Sequence, residues 1–111
     1  MPLCNRVCVD QEGPDPNFSA SGVLAGDRVV VTVTGEVDMS TADAMFLAAT
    51  RADAAGATLD LRAVTFFDSA AIHALLRVAE RYRDDFEVLP SAQVRRVLEI
   101  SGLATQPWLQ E

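Results

Sequence analysis

The chain has 111 residues, half of them hydrophobic and 23% charged, a length that holds one hydrophobic core and not two. Sixteen acidic against nine basic residues give a net charge of −7, which argues against direct binding to nucleic acid or to an anionic membrane surface. No apolar run approaches the ~20 residues that span a bilayer. The start, Met1-Pro2-Leu3-Cys4-Asn5-Arg6, lacks the apolar stretch of a secretory signal, so a cytoplasmic protein is expected.

Cys4 and Cys8 are the two cysteines, four residues apart, with no further ligands nearby to complete a metal site; they read as incidental thiols. Two prolines, a glycine and three acids between Asp10 and Asn17 mark a loop. Residues 1–17 are therefore expected to be a tail, with the domain running over 18–111. After the turn at Gly26-Asp27, Val29, Val31 and Val33 alternate with Val30, Thr32 and Thr34, which predicts a strand over 29–34. A weaker strand within 18–24 pairs with it as a hairpin, and Gly35 ends the run. Ser40-Thr41-Ala42-Asp43 reads as a capping-box variant with Ser40 as the N-cap. Ala42, Met45, Phe46, Ala49 and Ala52 follow at helical spacing, with Gly56 placed to stop the helix. Residues 57–61 form a short apolar run that resumes at Val64, Phe66 and Phe67.

Asp68-Ser69 opens a second helix, on which Ile72, Leu75, Leu76 and Ala79 predict the buried stripe. Phe86–Leu89 reads as a strand. Pro90-Ser91 starts a last helix with Val94, Val97 and Leu98 inward, ended by Gly102. The expected core is Val31, Leu59, Leu61, Phe66, Ile72, Leu76, Val88, Val97 and Leu98. Strands alternating with helices predict an α/β domain. Its mixed sheet of four to five strands has 29–34 central and helices mainly on one face.

Two strand-to-helix junctions gather polar residues: Gly35-Glu36-Val37-Asp38-Met39-Ser40-Thr41 and Phe67-Asp68-Ser69. In an α/β sheet such junctions collect at one edge, where hydroxyls are exposed and free amides favour anions. Ser69 is open to two readings, a helix cap or a phosphoacceptor whose added charge switches a protein contact. His73 falls off the apolar stripe and reads as a surface residue. Arg77 and Arg81 suit solvated pairing with Glu80, Asp84 or Asp85, or a rim for an acidic partner. No metal set, catalytic triad or glycine-rich phosphate loop is present, which argues against an enzyme, a cofactor or a metal.

Five short motifs, Gly35-Glu36-Val37-Asp38, Thr41-Ala42, Asp60-Leu61, Phe67-Asp68-Ser69 and Ser101-Gly102-Leu103, stand in the order and spacing of the STAS-domain family. The chain resembles its bacterial anti-sigma-factor antagonists over roughly residues 18–105. The resemblance implies a partner-switching protein in transcription regulation. Its partner would be an anti-sigma factor, a serine kinase of histidine-kinase-like ATPase fold, and binding would release a sigma factor. It implies phosphorylation at Ser69, with Asp38 nearby, and a partner-binding surface of Asp38, Thr41, Asp68, Ser69, Ala70, Ala71 and Ile72. An alternative within the same fold is an unphosphorylated accessory subunit of an ABC-type lipid transport complex. The family usually has Asp-Ser-Ser/Thr-Gly-Leu where this chain has Asp68-Ser69-Ala70-Ala71-Ile72. Ala71 is strained if the family glycine needs a positive φ, and stiffens the turn if that glycine is already helical. The segment after Leu103 is short for a further helix, and Trp108 is expected to pack as a plug.

Overall fold

The computed structural model describes residues 17–51 and 53–110; Cys4, Cys8, Ala52 and the expected tail up to Pro16 lie outside the described residues. Strand β1 (Phe18–Ala25) turns at Gly26-Asp27 into the antiparallel β2 (Arg28–Val37). Helix α1 (Ala42–Thr50) then returns the chain to β3 (Gly56–Phe67), parallel to β2. Helix α2 (Ser69–Tyr82) leads to β4 (Phe86–Pro90), parallel to β3, and α3 (Ala92–Ile100) follows. The sheet order is β1-β2-β3-β4, so the predicted valine strand is an inner one.

Period-two alternation makes one sheet face apolar. Val31, Leu59 and Val88 lie side by side across three strands and are fully buried, as are Val29 and Val33. The three helices add Met45, Ala48 and Ala49 from α1, Leu75 and Val78 from α2, and Val94 and Leu98 from α3 to the same cluster. The opposite face is polar. There Arg28 donates to the Thr58 hydroxyl at 3.0 Å, and Thr58 in turn donates to Glu87 at 3.4 Å. Burying Thr58 this way leaves its hydroxyl satisfied. Tyr82 ties α2 to α1 through a 2.6 Å bond from its hydroxyl to the Ala49 carbonyl.

Several expectations need correction. The runs at 57–61 and 64–67 are one strand. β3 spends 12 residues alongside the 10 of β2, with register shifts between Thr32 and Thr34 and between Gly35 and Glu36. Each extra residue turns the following side chains to the other face. The inward positions therefore run Leu59, Leu61, Val64, Phe67, and Phe66, expected in the core, is 47% exposed. On α2 the buried stripe is Ala71, Ala74, Leu75, Val78 and Tyr82, one position off the predicted one. Ile72, Leu76 and Ala79 flank it, partly buried. Small alanines barely register in an apolar pattern, yet they form the inner face on which the helix seats. Val97 is likewise half-buried, leaving Val94 and Leu98 as the anchors of α3. Gly56 does not end α1, which stops at Thr50; it begins β3.

Trp108 does pack as a plug. It is buried, its ring lies 5.7 Å from Phe86, and its carbonyl accepts from the Val88 amide at 2.7 Å. Gln110 N–H donates to the Val88 carbonyl at 2.9 Å, so Leu109 bridges β4 in parallel and covers its outer edge.

Candidate functional site

The carboxyl ends of β2 and β3 are adjacent, and a bond of 3.3 Å from Asp68 N–H to the Val37 carbonyl ties the two junctions together. Past β2 the chain folds into a tight turn. Asp38 N–H donates to Thr41 Oγ1 at 2.9 Å, and Thr41 Oγ1 donates to the Glu36 carbonyl at 3.0 Å. The Asp38 carbonyl accepts from the amides of Thr41 and Ala42 at 3.0 and 2.8 Å, which starts α1. Thr41 is 4% exposed, an internal strut of the turn rather than a contact residue.

Thr41, not Ser40, occupies the N-cap position of α1, and it makes no side-chain cap bond. Ser40 instead turns back on Asp38, donating from both its hydroxyl (2.8 Å) and its amide (2.9 Å) to Asp38 Oδ1. These bonds, the hydroxyl first, hold the Asp38 carboxyl below its usual 3.8, against a smaller desolvation that opposes them. The carboxylate is thus fixed in its charged form at the rim of the site.

Past β3, Asp68 is the N-cap of α2 and its carboxylate accepts from the Ala71 amide at 3.0 Å. Ser69 is therefore the first helical residue rather than the cap. Its side chain is exposed and makes no hydrogen bond with the described residues. Ala71 is fully buried in the first turn of α2. Arg83 is the one non-glycine with positive φ among the described residues, so Ala71 stiffens the turn without backbone strain. Ala70 and Ile72 are half-buried beside it. Of the seven residues expected on the partner surface, Asp38, Asp68, Ser69, Ala70 and Ile72 reach solvent, whereas Thr41 and Ala71 support them from within.

Between the junctions lies an open depression of about 420 Å³ lined by Asp38, Met39, Ser40, Phe66 and Asp68. Met39 is 82% exposed at its lip. Sequence reasoning missed Met39, an apolar residue in a polar turn, and misplaced Phe66. The isolated methionine was a readable signal; the bulge that exposes Phe66 was not. The pairings expected for the arginines also differ. Arg77 lies 3.7 Å from Asp43 and 4.0 Å over the Phe46 ring, both on α1, and Arg81 lies over Tyr82. Among the described residues no three His, Cys, Asp or Glu side chains are placed to share a metal ion, and no helix is long and apolar enough to cross a membrane.

The comparisons with known proteins agree with this architecture. An anti-sigma factor antagonist from Mycobacterium paratuberculosis has a similar structure, with a TM-score of 0.72 and 26% identity over 86% of this chain and 87% of that one. The anti-sigma factor antagonist SpoIIAA in its unphosphorylated form aligns with a TM-score of 0.62 and 24% identity, over 84% of this chain and 85% of that one. The Bacillus cell fate determinant SpoIIAA in its phosphorylated form gives 0.60 and 20%, over 84% and 88%. A search of curated proteins finds no match. The family profile described as "Mlab, STAS domain" matches residues 22–111, from the middle of β1 through the Trp108 plug, and the chain therefore belongs to the STAS-domain family.

Proposed function

We propose that this chain is a cytoplasmic, non-enzymatic binding module of the anti-sigma-factor antagonist type. It binds an anti-sigma-factor serine kinase of histidine-kinase-like ATPase fold and so frees a sigma factor. Phosphorylation of Ser69 turns that binding off. In the transfer the Ser69 Oγ–P bond forms as the bond between the β- and γ-phosphates of ATP breaks; ADP leaves and the hydroxyl proton is released. The observation that carries the reading is the Ser69 hydroxyl, exposed and uncommitted on the first turn of α2, next to a depression bearing Phe66 and Met39. The apolar pair supplies contact area, and Asp38 and Asp68 supply fixed charge beside it. A phosphoryl group adds up to two further negative charges there. The relative at 26% identity carries the description that this reading extends to the present chain.

Charge repulsion at a desolvated contact costs several kcal/mol, and about 4 kcal/mol is roughly a thousandfold in affinity. The test is calorimetric titration of wild type, Ser69→Ala and Ser69→Glu against the purified anti-sigma partner. Ser69→Ala keeps the wild-type affinity, and Ser69→Glu, with about half the charge of phosphoserine, loses at least tenfold. Equal affinity for all three reduces Ser69 to a residue of the first helical turn.

A second reading is favoured by Ala70, which stands where the family usually has a second hydroxyl. It is an accessory subunit of an ABC-type lipid transport complex, docking on the ATPase through the same depression without phosphorylation. A pull-down from native cells separates the two by the ATPase recovered.

A further inference from the structure

Along the solvent side of α2, Ser69, His73 and Arg77 follow one another at intervals of four residues, all exposed. Residues four apart on a helix are neighbours, with Cβ atoms about 5–6 Å apart. Helical side chains lean toward the N-terminus, so a residue covers the surface of the preceding turn. The His73 ring therefore has Ser69 within its reach. Arg77 is already engaged, by Asp43 at 3.7 Å and by the Phe46 ring at 4.0 Å. His73 makes no hydrogen bond or ion pair with the described residues.

We propose that His73 is a phosphate-reading residue: the imidazole one turn below Ser69 pairs with a phosphoryl group carried there and holds it against the exposed face of α2. The inference rests on Ser69 being the phosphoacceptor. The charged groups around that position are already committed. The Asp68 carboxylate caps the Ala71 amide, Asp38 binds Ser40, and Asp43 faces Arg77. Asp38 and Asp68 line the depression, so a phosphoryl group is repelled from that side and drawn to His73. The consequence is directional. The modified chain carries its new charge on the α2 rim of the depression, beside the two carboxylates, where a docking partner still meets it.

The test installs phosphoserine at position 69 by semisynthesis, so its outcome does not depend on any kinase. The second ionisation of the phosphate, near pH 6 for phosphoserine, is followed by phosphorus NMR in the otherwise wild-type chain and in His73→Gln, His73→Ala and His73→Arg. A permanent unit positive charge about 5 Å away in salted water, as Arg supplies, lowers the midpoint by about 0.3–0.6 pH unit, the upper limit for His73. The midpoint is therefore lower with His73 than with Gln or Ala, and Arg restores the low value. Identical midpoints in all four chains overturn the role of His73 while leaving the Ser69 switch to its own binding test. Failure of Ser69→Glu to weaken binding, with the midpoint shift intact, sinks the switch and leaves the pairing standing.

Discussion

Gly35 does not end β2 as expected from the sequence but sits two residues before its last residue, Val37, at φ +90, and a Cβ built on it would lie 1.7 Å from the Asn17 carbonyl oxygen and 2.6 Å from its carbon. A Cβ needs about 3.0 Å from such an atom. Gly35→Ala must therefore push two backbone segments apart by more than 1 Å. Two costs add. The left-handed conformation costs an L-residue roughly 1–2 kcal/mol, and displacing Asn17 sacrifices its 2.8 Å bond from Glu36 N–H, about 0.5–1.5 kcal/mol. With residual strain the total is about 2–4 kcal/mol. At a urea slope of about 1 kcal/mol per molar, the midpoint falls by about 2–4 M. Gly26→Ala is the internal control: its φ is +65 but nothing lies within 4 Å of the added carbon, so it carries the backbone cost alone. Urea unfolding followed by far-ultraviolet circular dichroism measures both. A Gly35 variant no less stable than the Gly26 variant would refute the collision argument.

Two further outcomes follow from the packing and charge of the same domain. Leu75→Ala, at a fully buried site, costs about 2–5 kcal/mol in urea unfolding, and Leu76→Ala, on the half-buried flank, costs less than half as much; equal losses would show that the α2 stripe is centred elsewhere. For Asp38 the folded carboxyl titrates below its usual value, so its hydrogen bonds contribute stability above about pH 4, and that contribution is lost as pH falls through the lower folded value. The stability gap between wild type and Asp38→Ala therefore narrows on acidification below pH 4, and a gap constant from pH 7 to pH 2 would contradict the Ser40 bonding.

The valine alternation at 29–34 was legible because both faces of β2 keep strict period two up to Val33, and the burial follows it. The element order and the Trp108 plug were readable for similar reasons: turn residues separate the elements, and a lone large aromatic near the end of a small domain has one core to join. Phe66 was not readable. A bulge changes facing without changing composition, so the residues of β3 look alike whether or not the ladder slips. The cap of α1 failed differently. Ser40 and Thr41 are both capping types, and the choice between them was made by Asp38, whose carboxylate takes the Ser40 hydroxyl. At the candidate site, the position of Asp38, Asp68 and Ser69 at two strand-to-helix junctions was legible from their motifs, and Met39 was readable as an apolar residue in a polar turn, whereas the exposure of Phe66 depends on a bulge that only the fold defines.

The two slips in the β2–β3 ladder have a dynamic meaning as well as a geometric one. Both fall in the half of the strand pair that ends at Asp38 and Asp68, while Arg28–Thr32 pairs with Gly56–Asp60 without interruption. Interrupted ladders open at lower free energy than regular ones. Amide exchange should thus be fastest toward Phe66 and slowest around Val31 and Leu59, which makes the domain a stiff clamp at one end with compliant jaws at the other. The Met39–Phe66 surface can then be reshaped by a small local adjustment that leaves the valine-leucine core in place.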